Sequence, residues 1–173
     1  MTILLRSWNR GWCNELYTAA HERWQDLYVP HPIEHHNDPT FNKHVDESRF
    51  RELDVGVKAL DEIKTGAQSL IGYDSKMISV GVVRWDEGTF MKSHRDNPPG
   101  WEDRDIALIV YLNQDFAGGH FMGLGYNHQP GQGDVIYFDC TDPDTGEGAM
   151  HEVSKITQGV RYTFNCWFSQ NSC

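Results

Sequence analysis

Apolar residues at Trp12, Leu16, Ala19, Ala20, Trp24 and Leu27 recur at three- and four-residue intervals, which predicts an amphipathic helix over that segment. Leu53, Val57, Leu60, Ile63, Ala67, Leu70 and Ile71 repeat the pattern and predict a second. The stretch between them, YVPHPIEHHNDPTFNKHVD, has no sustained period and reads as a long loop. Loops of this length are uncommon unless functional or disordered, so His31 to His44 is read first as a solvated loop and second as a substrate lid, with a second metal site behind both. From Met77 the period shortens. The runs MISVGVVRW, TFMKSHRD, DIALIVYLN, GHFMGL, DVIYFD, HEVSKI and VRYTFNCWF, separated by Gly, Pro, Asn and Asp, predict seven strands. Two sheets closing on each other, with the helices over an outer face, make a mainly β (α+β) protein.

At 173 residues the chain is the size of one domain. We read 1–173 as a single unit, with 1–75 a helical flank carrying the loop and 76–168 the β core. Six Trp, seven Tyr and eight Phe promise a packed core and argue against disorder. A formal charge of -10 disfavours a phosphate backbone, so no nucleic-acid partner is expected. No apolar run suggests a membrane helix, and the start, MTILLRSWNR, lacks the apolar stretch of a signal peptide, so a cytoplasmic protein is expected. Cys13, Cys140, Cys166 and Cys173 form no CxxC pair, which fits free thiols in a reducing compartment.

Three His-x-Asp triplets occur: His36-Asn37-Asp38, His44-Val45-Asp46 and His94-Arg95-Asp96. On a strand, residues i and i+2 point the same way, so the triplet can deliver two metal ligands from one short segment. Two His and one carboxylate on one face of an octahedral metal leave three positions open, the arrangement non-haem iron(II) oxygenases require. The first two triplets lie in the polar loop, where solvated residues are the ordinary reading. Only the third adjoins a strand-like run.

After His94 and Asp96 come, in order, Tyr111-Leu112-Asn113, Gly118-Gly119, PGQGDVIYF at 130 to 138, HEV at 151 to 153 and GVRYTFNCW at 159 to 167. Upstream, Arg84-Trp85 and Gly88 keep the same register. This series, from Arg84 to Phe168, resembles the prolyl 4-hydroxylase-like branch of the iron(II)/2-oxoglutarate-dependent dioxygenases. The resemblance implies a double-stranded β-helix (jelly-roll) core, with Fe(II), 2-oxoglutarate and O2 as cofactor and cosubstrates and ascorbate as a potential reductant. It implies His94, Asp96 and His151 as iron ligands and catalytic residues. Arg161, ten residues past His151, is implied to hold the far carboxylate of 2-oxoglutarate, for which a guanidinium fork is suited. Many members have Tyr three residues before the first ligand His. Here Met91 takes that place, and Tyr111 is the expected replacement facing the cosubstrate.

In the last run Arg161, Thr163, Asn165 and Trp167 share one strand face, and Tyr162, Phe164, Cys166 and Phe168 the other. We read the first face as a pocket lining, with Thr163 beside Arg161 as a further cosubstrate contact. Related halogenases have a small residue where Asp96 stands, so hydroxylation is the implied outcome, with desaturation and cyclisation left open. The resemblance suggests a prolyl residue in a peptide or protein as substrate, with Trp85, Trp101, Tyr126 and Trp167 as an aromatic wall for its ring. A free amino acid or other small molecule is the alternative, and a non-redox jelly-roll metalloprotein a further one. Trp101, His120, Tyr126 and His128 could reach substrate from loops. Gly118-Gly119 and Pro130-Gly131 with Gly133 are read as structural. Oligomeric state is left open.

Overall fold

The structure, a computed structural model, describes residues 6–23, 48–49, 58–142 and 144–170. The continuation of the first predicted helix through Trp24 and Leu27, the start of the second at Leu53 and Val57, and the loop with its two triplets lie outside the described residues.

The chain runs β1 (Arg6–Ser7), α1 (Arg10–Glu22), β2 (Ser48–Arg49), α2 (Lys58–Ile71), β3 (Lys76–Trp85), β4 (Met91–His94), β5 (Ile106–Tyr111) and β6 (Ala117–Gly118). It continues through β7 (Phe121–Gly123), β8 (Tyr126–His128), β9 (Asp134–Asp139), β10 (His151–Val153), β11 (Ile156–Gln158) and β12 (Arg161–Ser169). A six-stranded sheet has the order β1-β9-β5-β12-β3-β2, facing a four-stranded sheet β4-β10-β7-β8, with β11-β6 as a separate pair. Neighbouring strands are antiparallel throughout these sheets. No described helix is long and apolar enough to cross a membrane.

Asn9 caps α1, its side chain accepting from the backbone N–H of Gly11 at 2.9 Å and of Trp12 at 3.3 Å. Cys13, Leu16 and Ala20 of α1 and Leu60, Ile63 and Ala67 of α2 are buried against the outer face of the large sheet. There they meet Leu108, Val110, Tyr162, Phe164, Cys166 and Phe168. A second cluster fills the space between sheets, with Tyr111, Phe121, Ile136, Phe138 and Trp167 at its centre. Each large apolar side chain fully buried here contributes about 1.5–3 kcal/mol. The alternation predicted for the last strand is realised: Tyr162, Phe164, Cys166 and Phe168 pack with the helices, while Arg161, Thr163, Asn165 and Trp167 line the pocket on the other side.

Two expectations need correction. HEVSKI is not one strand but β10 and β11, which join different sheets. Between them the backbone is caught from the side: Ser154 N–H donates to His120 O at 2.9 Å, and Gly119 N–H donates to Lys155 O at 3.2 Å. Gly118 allows this approach, since with φ at 75° a Cβ there would lie 2.0 Å from Lys155 O. Likewise β4 stops at His94, so Asp96 is delivered from a bend two residues beyond the strand. The short strands β1, β2, β6 and β8 were not predicted, because two or three residues carry no measurable period. Asp134 N–H donates to Gly131 O at 3.0 Å, closing the turn expected before β9.

Candidate functional site

Pairing of β10 with β4 sets His151 directly opposite His94. Their rings lie 4.3 Å apart between centroids. The bend after β4 brings Asp96 to both: Asp96 Oδ1 is 3.5 Å from His94 Nε2 and 3.6 Å from His151 Nε2. The three side chains can each offer one ligand atom, all within 4.8 Å of one another, the only such group among the described residues. The spacing suits a metal at their centre.

The other ring nitrogens support the same assignment. His94 Nδ1 lies 2.8 Å from Lys92 O and His151 Nδ1 lies 3.1 Å from Ala149 O. A backbone carbonyl can only accept, so each Nδ1 carries the proton and each Nε2 presents a lone pair to the site. Phe121 stacks on His151 at 5.3 Å and Phe138 meets its edge at 4.8 Å. Gly123 lies against the His151 backbone, where a Cβ would come within 2.7 Å of Cα.

Burial pushes the Asp96 carboxyl up, but His151, His94 and the Trp167 indole outweigh it and hold it well below the usual carboxylate range. Burial pulls His151 down to about 4, with Asp96 acting in the opposite direction. At neutral pH the pair is therefore an ionised carboxylate and a neutral imidazole, the states a metal needs in its ligands.

One pocket contains the triad. Along β12 its lining runs from Arg161 and Thr163, opposite Trp85 and Val83 of β3, to Asn165 and Trp167, with Tyr111 and Ile109 of β5 opposite Thr163 and Asn165, and Met91 and Arg104 also line it. Arg161 is 2% exposed. It donates from Nη1 to Gly119 O at 2.9 Å, and its guanidinium lies 4.2 Å from the Trp85 ring centroid and 5.7 Å from that of Tyr111. No carboxylate forms an ion pair with it among the described residues. Burial lowers it to about 10, with Tyr111 opposing, and it remains a cation at neutral pH.

Four buried polar atoms of this lining have no hydrogen-bond partner among the described residues: Trp85 Nε1, Arg161 Nε, Thr163 Oγ1 and Asn165 Oδ1. Native interiors rarely leave such groups unpaired. One of them belongs to the Arg161 guanidinium and two, Trp85 Nε1 and Thr163 Oγ1, are on residues that line the pocket with it, which fits a bound carboxylate. The donor set thus matches both a metal and a dicarboxylate beside it.

His94, Asp96, His151, Tyr111, Arg161 and Thr163 are all brought together here. The residues expected to reach in from loops are not: Trp101, His120, Tyr126 and His128 are absent from the lining, and Tyr126 and His128 belong to β8. His120 Nδ1 lies 2.8 Å from Asn127 Oδ1, His128 pairs with Asp134 at 2.8 Å, and the Trp101 ring lies under Arg104 at 3.7 Å. Of the four aromatics expected to form a wall, only Trp85 and Trp167 line the pocket, each with a guanidinium over one face.

Sequence reasoning assigned Arg104 no place in the lining, where it lies between two indoles. It also missed Asn113, whose side chain receives Tyr162 N–H at 2.8 Å and donates to Val160 O at 2.8 Å, fixing the start of β12. Arg104 has no spacing signal, and the run that contains Asn113 does not show its role, since both act across the fold.

A model of the 2OG-Fe(II) oxygenase superfamily matches residues 80–169, just over half the chain. No curated protein sequence matches. Among solved structures, the fold is similar to a viral collagen prolyl hydroxylase from Paramecium bursaria Chlorella virus-1 in complex with 2OG, with a TM-score of 0.72 at 18% identity, covering 97% of this chain and 96% of that one. It is similar to a Pseudomonas putida prolyl-4-hydroxylase (TM-score 0.69, 17% identity, covering 99% and 92%). It also resembles a Trichoplax adhaerens prolyl hydroxylase in complex with a hypoxia inducible factor peptide fragment (0.73, 16%, 98% and 83%). At these identities the likeness is one of fold, the jelly roll with flanking helices.

Proposed function

Since the chain belongs to the 2OG-Fe(II) oxygenase superfamily, and so is a 2-oxoglutarate-dependent dioxygenase, we propose that it hydroxylates a prolyl residue of a peptide or protein, with Fe(II) on His94, Asp96 and His151. The observation that carries the reading is the pairing, within one pocket, of a metal-spaced triad with a buried arginine that has no carboxylate partner among the described residues. Bound iron with 2-oxoglutarate and O2 supplies the oxidation, in which 2-oxoglutarate becomes succinate and CO2 and a substrate C–H becomes C–OH.

The residues of the chain do the binding and positioning. Arg161 holds the far carboxylate of 2-oxoglutarate, and Trp85 Nε1 and Thr163 Oγ1 are the unpaired groups that complete its hydrogen bonding. Tyr111, directly opposite Thr163 on the paired strand, closes that end. Val83, Met91, Phe121 and Val153 keep the surroundings apolar and limit water. The prolyl reading is supported by the fold shared with three prolyl hydroxylases and by the indole and aliphatic lining beyond the triad.

Anaerobic addition of Fe(II) and then 2-oxoglutarate should produce a weak visible charge-transfer band that needs both. A band that fails to form, or forms equally without 2-oxoglutarate, refutes the site assignment. The substrate is tested by succinate release and a +16 mass change over Pro-containing peptides and free amino acids. A free amino acid is the second reading, favoured by the Arg104 guanidinium in the pocket wall, which could take its carboxylate. A product from free amino acids and none from peptides would establish it in place of the first.

A further inference from the structure

We propose that Trp167 is a positioning residue for the metal carboxylate: its indole N–H holds one oxygen of Asp96 so that only the other is presented to the metal. The inference rests on the iron assignment above.

Asp96 lies beyond the end of β4, so no ladder hydrogen bond fixes it. Two side chains do. Trp167 Nε1 donates to Asp96 Oδ2 at 3.0 Å, and Arg104 Nη1 donates to the Asp96 backbone carbonyl at 3.3 Å. The remaining oxygen, Oδ1, is the one facing both imidazole Nε2 atoms. The division of labour between the two carboxylate oxygens is therefore set by the protein before any metal arrives.

Trp167 is itself well held. It lies in β12 between two neighbouring strands and is 7% exposed. The Arg104 guanidinium covers its ring at 4.2 Å and rests on Trp101 from the other side at 3.7 Å. The pairing of β12 with β3 shifts register between Trp167 and Phe168. Such irregularities re-aim side chains near functional sites. Here the indole edge, not its face, is turned to Asp96.

The consequence concerns the open coordination positions. A carboxylate free to rotate can chelate through both oxygens and occupy a position needed for cosubstrate or O2. With Oδ2 committed to the indole, that position stays open. Partners of this kind, one bond removed from the metal, typically change metal affinity or activity about 10- to 100-fold.

The test uses Co(II), a spectroscopic stand-in for Fe(II), added to the whole chain without 2-oxoglutarate. Trp167→Phe should raise the Co(II) dissociation constant about 10- to 100-fold and alter the visible Co(II) band. Tyr126→Phe, at an exposed position outside the pocket lining, should leave both unchanged. Wild-type affinity and band in Trp167→Phe overturn the proposal. Should that variant not fold, Zn(II)-loaded wild-type protein replaces it: one indole N–H resonance should be protected from water exchange and move on Asp96→Asn, and a Trp167 resonance that does neither overturns the proposal. If the wild-type protein takes up no Co(II), the iron assignment itself has failed, which is a separate result from a Trp167 variant that binds normally.

Discussion

Arg161→Met removes the buried cation while keeping most of the aliphatic stem, and it separates function from stability. Burial lowers the Arg161 guanidinium from its usual 12.5 to about 10, which costs the charged form about 3 kcal/mol at about 1.36 kcal/mol per tenfold. The lowered value means that the folded state favours the neutral form, so this cost applies at neutral pH and would be relieved only as pH rises from about 10 towards 12.5. Against it stand one hydrogen bond to Gly119 O and the contact with Trp85. These opposing contributions predict that apo Arg161→Met unfolds within about 1 kcal/mol of wild type. Binding should suffer far more. Loss of a buried charge-assisted contact to a carboxylate costs about 2 to 5 kcal/mol, or about 30-fold to a few thousand-fold in 2-oxoglutarate affinity. The assay is anaerobic titration of the Fe(II) protein with 2-oxoglutarate, followed by the visible band, beside denaturant unfolding of the apo protein. Affinity within about threefold of wild type would refute the reasoning and point to another cation. Arg84 is a poor substitute, since it already pairs with Asp86 at 2.7 Å. Arg104 would be the residue to replace next.

Asp96→Ala should abolish hydroxylation with the fold intact, whereas Asp38→Ala and Asp46→Ala should leave turnover nearly unchanged; the reverse pattern in a succinate assay would move the iron site to the N-terminal loop. His151 titrates near 4 in the fold, against about 6.5 when unfolded. The unfolded chain therefore binds the extra proton first, and stability of the apo protein should fall by about 3 kcal/mol as pH drops from about 6.5 to 4. His151→Gln should flatten that part of the curve in denaturant titrations at pH 7 and 4.5, and an unaltered slope would assign it to other groups. Gly123→Ala forces a Cβ to within 2.7 Å of His151 Cα, so it should weaken Co(II) binding while Gly125→Ala, where a Cβ meets nothing within 4 Å, should leave the metal site unaffected.

The sequence alone determined the two amphipathic helices, most of the long strands and the side of β12 that lines the pocket, because burial imposes periods of 3.6 and 2 that survive in the order of residues. It also pointed to His94, Asp96, His151, Arg161 and Tyr111 through the resemblance that their ordered motifs carry, and to Thr163 through the strand face it shares with Arg161. Tertiary structure decided what depends on contacts between distant segments. The break between β10 and β11 follows from His120 and Gly119 catching a backbone some 35 residues away. The end of β4 before Asp96, the Trp167 indole on Asp96 Oδ2, Arg104 between two indoles, and the exclusion of Trp101, His120, Tyr126 and His128 from the lining belong to the same class. A hydrogen bond spanning 71 positions, as between Trp167 and Asp96, leaves no period and no local motif. It exists only once the strands that carry its partners have paired.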